Sequence, residues 1–100
     1  MVKWSEPAKQ DLKQIHDFIA RDSERYAKKV TMDFVTCSEV LQQFPEMGRM
    51  IPELDDPNIR ELLIYSYRLI YQVSSGEIEV LALVHVRRDF VADALNDSRT

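Results

Sequence analysis

Five side chains in the second half of the chain, Arg60, Arg68, His85, Arg87 and Arg88, are of types that suit contact with a phosphate or a carboxylate. A guanidinium binds such oxyanions through parallel N–H donors, and an imidazole that titrates near neutrality can take or give a proton. The basic residues are also sorted by type along the chain. All five lysines lie at or before Lys29, and beyond it stand only Arg49, Arg60, Arg68, Arg87, Arg88 and Arg99. Guanidinium suits bidentate and partly buried contacts better than ammonium does. Plainer readings stand beside these. Arg60 and Arg68 could form ordinary salt bridges with Glu61, Glu79 or Asp89, and Asp89 could simply orient Arg88. His85 could be structural. His16 lies beside an apolar stripe without ligand partners at metal spacing, and Cys37 lies on such a stripe as a core thiol. The sequence carries no Ser/His/Asp arrangement, phosphate-cradling glycine loop or metal-binding cluster, and no metal or other cofactor is expected.

Two helices and a run of strands must position these groups. Ser5 is a candidate N-cap, with Glu6 and Pro7 in the first turn, and Ala8, Leu12, Ile15 and Ile19 form one apolar stripe to about Arg21. Ser23 can cap a second helix, on which Ala27, Val30, Phe34, Cys37, Leu41 and Phe44 recur at spacings of three and four before Pro45 ends the pattern. The short link predicts an antiparallel helical hairpin. Residues 45–57 carry three prolines and a glycine and read as a loop, with a short edge strand at Arg49 to Ile51. From Ile59 to Val86 the residues become β-branched and aromatic, a stretch too long for one strand. A turn at Ser74-Ser75-Gly76-Glu77 is clear, and a second break is required near Tyr65-Ser66; Val2-Lys3-Trp4 could add a further strand.

The Ser75-Gly76 turn sets a register in which Val73 faces Ile78 and Tyr71 faces Val80. Simple alternation then puts Leu69, Tyr71, Val73, Ile78, Val80, Ala82, Val84 and Val86 on the face that packs on the helices. Arg68, His85 and Arg87 fall together on the other face, joined by Arg60 if the loop near Tyr65 has an odd length. A bulge would bring Arg88 there in place of Arg87.

One hundred residues suffice for one domain, 1–100, with a real core. One cysteine can form no internal disulfide, no apolar run is long enough to span a membrane, and no signal-peptide core opens the chain, so a cytoplasmic protein is expected. The net charge of −4 argues against non-specific nucleic-acid binding over the whole surface.

Several segments, taken in order, resemble the RelE/ParE superfamily of toxins from type II toxin–antitoxin modules: Trp4-Ser5 before Ala8-x-x-Asp11-Leu12, the helical hairpin, Pro45-x-Met47-Gly48-Arg49, Ile59-Arg60-Glu61-Leu62, Tyr67-Arg68-Leu69-Ile70-Tyr71-Gln72-Val73, and His85-Val86-Arg87-Arg88-Asp89. The resemblance covers nearly the whole chain. It implies an α+β fold, an N-terminal helical hairpin packed on a small, mostly antiparallel sheet. It also implies an antitoxin partner whose C-terminal segment wraps the toxin, with oligomers formed by the pair.

Two activities occur in the superfamily. The RelE-like branch cuts mRNA on the ribosome without a metal, using arginines against the developing charge and an acid/base group on the ribose 2′-OH. Arg68 and Arg88 match arginines of that branch; Arg60 and His85 complete the set it would use here. That branch often has a tyrosine a few residues further on and lysines on the central strands. Here no tyrosine follows Tyr71 and no lysine follows Lys29. The ParE-like branch binds DNA gyrase, stalls it and needs no catalytic residue. The long helical hairpin, the Met-Gly-Arg loop and the His-x-Arg-x-Asp end resemble it, and the acidic balance points the same way. Under that reading Arg49, Arg60, Arg68 and Arg87 are candidates for contact with antitoxin or target. An inactive member kept as an antitoxin-binding subunit is a third reading.

Overall fold

The structure, a computed structural model, describes residues 2–87. Its elements run β1 (Val2–Trp4), α1 (Glu6–Ala20), α2 (Glu24–Val40), β2 (Arg49–Met50), β3 (Ile59–Ile64), β4 (Tyr67–Ser74) and β5 (Glu77–His85). Both helices start as their sequences require. The Ser5 side chain accepts from the Ala8 amide and the Ser23 side chain from the Tyr26 amide, with Pro7 in the first turn of α1. Helix α2 ends at Val40, a turn earlier than the stripe predicts, and the chain continues in successive turns to Phe44. Phe44 is therefore 58% exposed rather than buried, and Ser38 takes a core place, its hydroxyl donating to the Val35 carbonyl.

Five strands form one sheet in the order β1-β5-β4-β3-β2, antiparallel except for the parallel β1–β5 pair. The expected α+β architecture, the first strand and the short edge strand are all present. Two two-residue loops set the central registers. Ser75 and Gly76 both have positive φ (51° and 78°), the type I′ pattern that matches strand twist. In the other loop only Tyr65 has positive φ, 55°, which is the type II′ pattern borne by a bulky residue instead of glycine.

Helix α1 packs along β5. The Asp11 carboxylate accepts the Leu83 amide, and the Ser5 hydroxyl donates to the Leu81 carbonyl. One core lies between helices and sheet, built on Ala8, Ile15, Val30, Phe34, Leu41, Leu69, Tyr71, Ile78, Val80 and Leu83. A second lies on the far face, where loop residues Ile51 and Leu54 cover Ile70, Ala82 and Val84.

The expected alternation along β5 fails at one place. Val73 does face Ile78 and Tyr71 does face Val80, but Ile70 faces Ala82, which leaves Leu81 without a partner. This bulge reverses the faces beyond it. Ala82 and Val84 pass to the Arg68 face, and Leu83 passes to the helices. His85, opposite Tyr67, passes with it, so it does not stand beside Arg68.

Candidate functional site

Arg68 sits on the far face of β4, opposite Leu63 of β3 and Val84 of β5. Pairing places Glu61 opposite Ile70 on the same face, and Arg49 of β2 opposite Glu61. The three strands thus bring Arg49, Glu61 and Arg68 together. The Glu61 side chain, only 4% exposed, accepts the Arg49 Nε at 2.6 Å on one oxygen and a close hydrogen bond from the Arg68 Nε on the other. The Nη1 and Nη2 fork of Arg68 grips both oxygens of Glu53, each at 3.2 Å. Glu53 lies in the loop between Ile51 and Leu54, whose side chains are the loop's anchors in the second core. The Arg68 guanidinium holds the Glu53 carboxyl below the ordinary carboxylate range. Burial opposes the charge of Arg68, yet the bonds to Glu53 and Glu61 outweigh it and raise its pKa. Of the four, Arg68 is 14% exposed and Arg49 73%. The buried carboxylate is therefore held from two sides by cations of different reach, one sunk in the sheet and one at the surface. They lie in an open cleft of about 840 Å³ rimmed by Met47, Leu63 and Val86.

The loop carrying Arg49 is fixed by Tyr71. Its buried hydroxyl donates to the Pro45 carbonyl at 2.8 Å and accepts the Gly48 amide at 2.9 Å. Gly48 has no room for a side chain, since a Cβ would stand 2.6 Å from both the Glu61 carbonyl oxygen and the Tyr71 hydroxyl. Arg60, on the helix-facing side opposite Tyr71, spends one donor on the Gly48 carbonyl at 2.9 Å. The loop at Tyr65 has two residues, not an odd number, so Arg60 does not join Arg68. Its observed use is to clamp the Met-Gly-Arg loop.

His85 packs edge-on against Tyr67, ring centroids 5.2 Å apart, in a small recess with Asp11, Gln14 and Phe18. Its Nδ1 accepts the Arg87 amide at 3.0 Å. Arg87 itself is exposed just past β5. Arg88 and Asp89 lie outside the described residues. Of the residues proposed for the RelE-like branch, the three within the described residues, Arg60, Arg68 and His85, are kept apart, and among them it is Arg68 that faces the cleft.

Two acidic partners, one in the cleft and one on α2, left little trace in the sequence. Glu53 stands in a proline-bounded loop without periodicity, and only the fold carries it to Arg68. Asp33, on α2, receives a close hydrogen bond from the Tyr65 hydroxyl and an ion pair from Lys29 at 3.1 Å, tying the β3–β4 turn to the helix. Cys37 is half-buried against the core, and burial pushes its thiol pKa up, which suits packing rather than attack. Among the described residues no three His, Cys, Asp or Glu side chains converge as a metal site, and no helix is long and apolar enough to cross a membrane.

The sequence matches the family model of the ParE toxin of the type II toxin–antitoxin system parDE over residues 2–90. It is 30% identical over 88 residues to Toxin RelE2 of Caulobacter vibrioides, covering 87% of this chain and 96% of that one. The fold superimposes on a chain of the chromosomal ParDE system from P. aeruginosa with a TM-score of 0.69 at 26% identity, covering 84% of this chain and 92% of the other. It also superimposes on a chain of the RelBE2 toxin–antitoxin complex from Mycobacterium tuberculosis, with a TM-score of 0.64 at 16% identity over 85% and 95% of the two chains. The helical hairpin, the mixed five-stranded sheet and the match over almost the whole length lead to one assignment: the chain belongs to the ParE toxin family of type II toxin–antitoxin systems, within the RelE/ParE superfamily.

Proposed function

We propose that this toxin acts in the cytoplasm by binding and stalling DNA gyrase, and that a cognate antitoxin, whose C-terminal segment wraps it, neutralises it in a joint oligomer. The observation that carries this reading is the state of Arg68. A nuclease needs its guanidinium aimed at a developing phosphorane charge. Here Glu53 and Glu61 engage it, and His85 stands on the opposite face of the sheet. An arginine so engaged serves a scaffold better than a reaction, and exposed Arg49 and Arg87 serve partner contact. The match to the ParE family model supports the same reading. The chain then works by binding alone, without chemistry of its own.

The name of the Caulobacter relative, Toxin RelE2, favours ribosome-dependent mRNA cleavage as a second reading. One induction experiment separates the two. Expression of the toxin should accumulate gyrase–DNA cleavage complexes and change plasmid supercoiling, while mRNA ends stay as in uninduced cells. New ends inside translated codons, lost in Arg68→Ala and Arg88→Ala, would establish the nuclease instead. Normal growth with neither effect would mark an inactive antitoxin-binding subunit.

A further inference from the structure

We infer that Met47 is a modification site: a peroxide converts its thioether to the sulfoxide, and this oxidation weakens the hold of the antitoxin on the toxin. Three observations lead there. First, methionine is ordinarily a buried residue, yet Met32, Met47 and Met50, the methionines among the described residues, are 58%, 46% and 45% exposed. Met47 lines both the 840 Å³ cleft and a neighbouring apolar groove of about 680 Å³ that it shares with Val40, Phe44 and Pro45, whereas Met32 and Met50 line neither. Second, the backbone holds this side chain in place. The Met47 amide donates to the Phe44 carbonyl at 3.0 Å, the Gly48 amide donates to the Tyr71 hydroxyl at 2.9 Å, and the close approach at Gly48 leaves the loop no slack. Third, Met47 stands where the two apolar borders meet. Val40 and Phe44 on one side and Leu63 and Val86 on the other are all exposed. A contiguous apolar patch of this kind marks a protein contact, and a thioether suits such a surface because it adapts to what it meets.

With hydrogen peroxide the step balances without another reactant. A sulfur lone pair attacks one peroxide oxygen, the S–O bond forms as the O–O bond breaks, and the second oxygen leaves with both protons as water. Sulfur loses two electrons and the peroxide gains them. The product places a polar accepting oxygen at the join of two apolar surfaces, where a partner packed against it must strip its water. Met47 belongs to neither core, so the fold is kept. Methionine sulfoxide reductases reverse the change. The occupant of the patch is the cognate antitoxin, presenting apolar side chains to it. This rests on the antitoxin reading and adds a redox control to it, independent of what the toxin attacks.

The test uses the full-length toxin, separated from its antitoxin and refolded. Wild type, Met47→Leu, Met50→Leu and Met32→Leu are treated with hydrogen peroxide, and catalase ends the reaction. Peptide mass spectrometry reads the sulfoxide at each methionine, circular dichroism checks the fold, and calorimetry measures binding to untreated antitoxin. Oxidised wild type, Met50→Leu and Met32→Leu should bind about ten-fold more weakly than the same proteins untreated, whereas oxidised Met47→Leu should bind as tightly as before. Sulfoxide reductase should restore the wild type. Met47→Gln, polar and of similar length, should bind weakly without peroxide. An equal loss in oxidised Met47→Leu, an unchanged affinity in wild type fully oxidised at Met47, or unfolding of the oxidised protein would overturn the switch alone. Untreated toxin that binds no antitoxin would overturn the antitoxin reading and the switch with it.

Discussion

Glu61 is the residue on which the far face of the sheet turns electrostatically. Replacing one partner of a buried ion pair leaves the other stranded, at a cost of about 3–5 kcal/mol. Because Arg68 keeps Glu53 and Arg49 reaches solvent, Glu61→Ala is expected near the lower end, about 3 kcal/mol in urea unfolding. A loss below about 1 kcal/mol would mean that Arg68 finds compensation elsewhere. The Asp33–Tyr65 contact gives a pH signature of its own. Hydrogen bonding from Tyr65, then from Lys29, lowers the Asp33 pKa, so its contribution is present above the ordinary carboxylate value and is lost as pH falls through the lower folded one. The Tyr65 pKa is raised, first by its bond to Asp33, so its contribution is present below the ordinary tyrosine value and is lost as pH rises through the higher folded one. A double-mutant cycle of Asp33→Asn and Tyr65→Phe should therefore show a coupling that is flat at neutral pH and fades at both extremes. A coupling that survives at strongly acidic pH would show that the charge of Asp33 is not what Tyr65 holds.

At the scale of elements, the 45–49 loop depends on Tyr71. Tyr71→Phe leaves the Pro45 carbonyl and Gly48 amide without their partner, and is expected to cost about 1–3 kcal/mol in urea unfolding. Gly48→Ala should be harsher than an ordinary loop substitution, because the new methyl meets backbone as well as a side chain. Gly76→Ala should cost about 1–2 kcal/mol through its positive φ alone, since open space surrounds it. If Gly48→Ala proves the milder of the two, the close approach of Gly48 to Tyr71 is not a real constraint. These elements were unequally legible in the sequence. Helix starts, the Ser75-Gly76 turn and the Val73–Ile78 register follow from local chemistry that acts within a few residues. The Leu81 bulge and the early end of α2 do not, because tertiary packing decides them: Leu81 packs against the far-face core of Ile51, Ile70, Ala82 and Val84, and Ser38 is drawn into the core. For the same reason the arginines of the cleft were visible as types, Glu53 was not visible as a partner, and His85 was assigned to the wrong face.

Over the whole molecule, two cores share one sheet. Tyr71 and Leu69 serve one, Ile70 the other, and all three are fully buried on the same strand. The chain should accordingly unfold as one unit, with a single urea transition seen alike by tyrosine fluorescence and by circular dichroism. Separate midpoints would show that the 51–58 segment and its core open on their own. Strand β5 has nine residues where its partner β4 has eight. It therefore carries a spare. Excising Leu81 would make the ladder regular while leaving Val84 opposite Arg68 and His85 opposite Tyr67. Losing a residue from the middle of β4 would instead drag its neighbours across the sheet and dismantle both cores. Loss of one residue should thus unfold the protein more readily when it falls in β4 than when it removes Leu81, whose own cost is its far-face packing and the Ser5 bond to its carbonyl, and a single codon marks the difference.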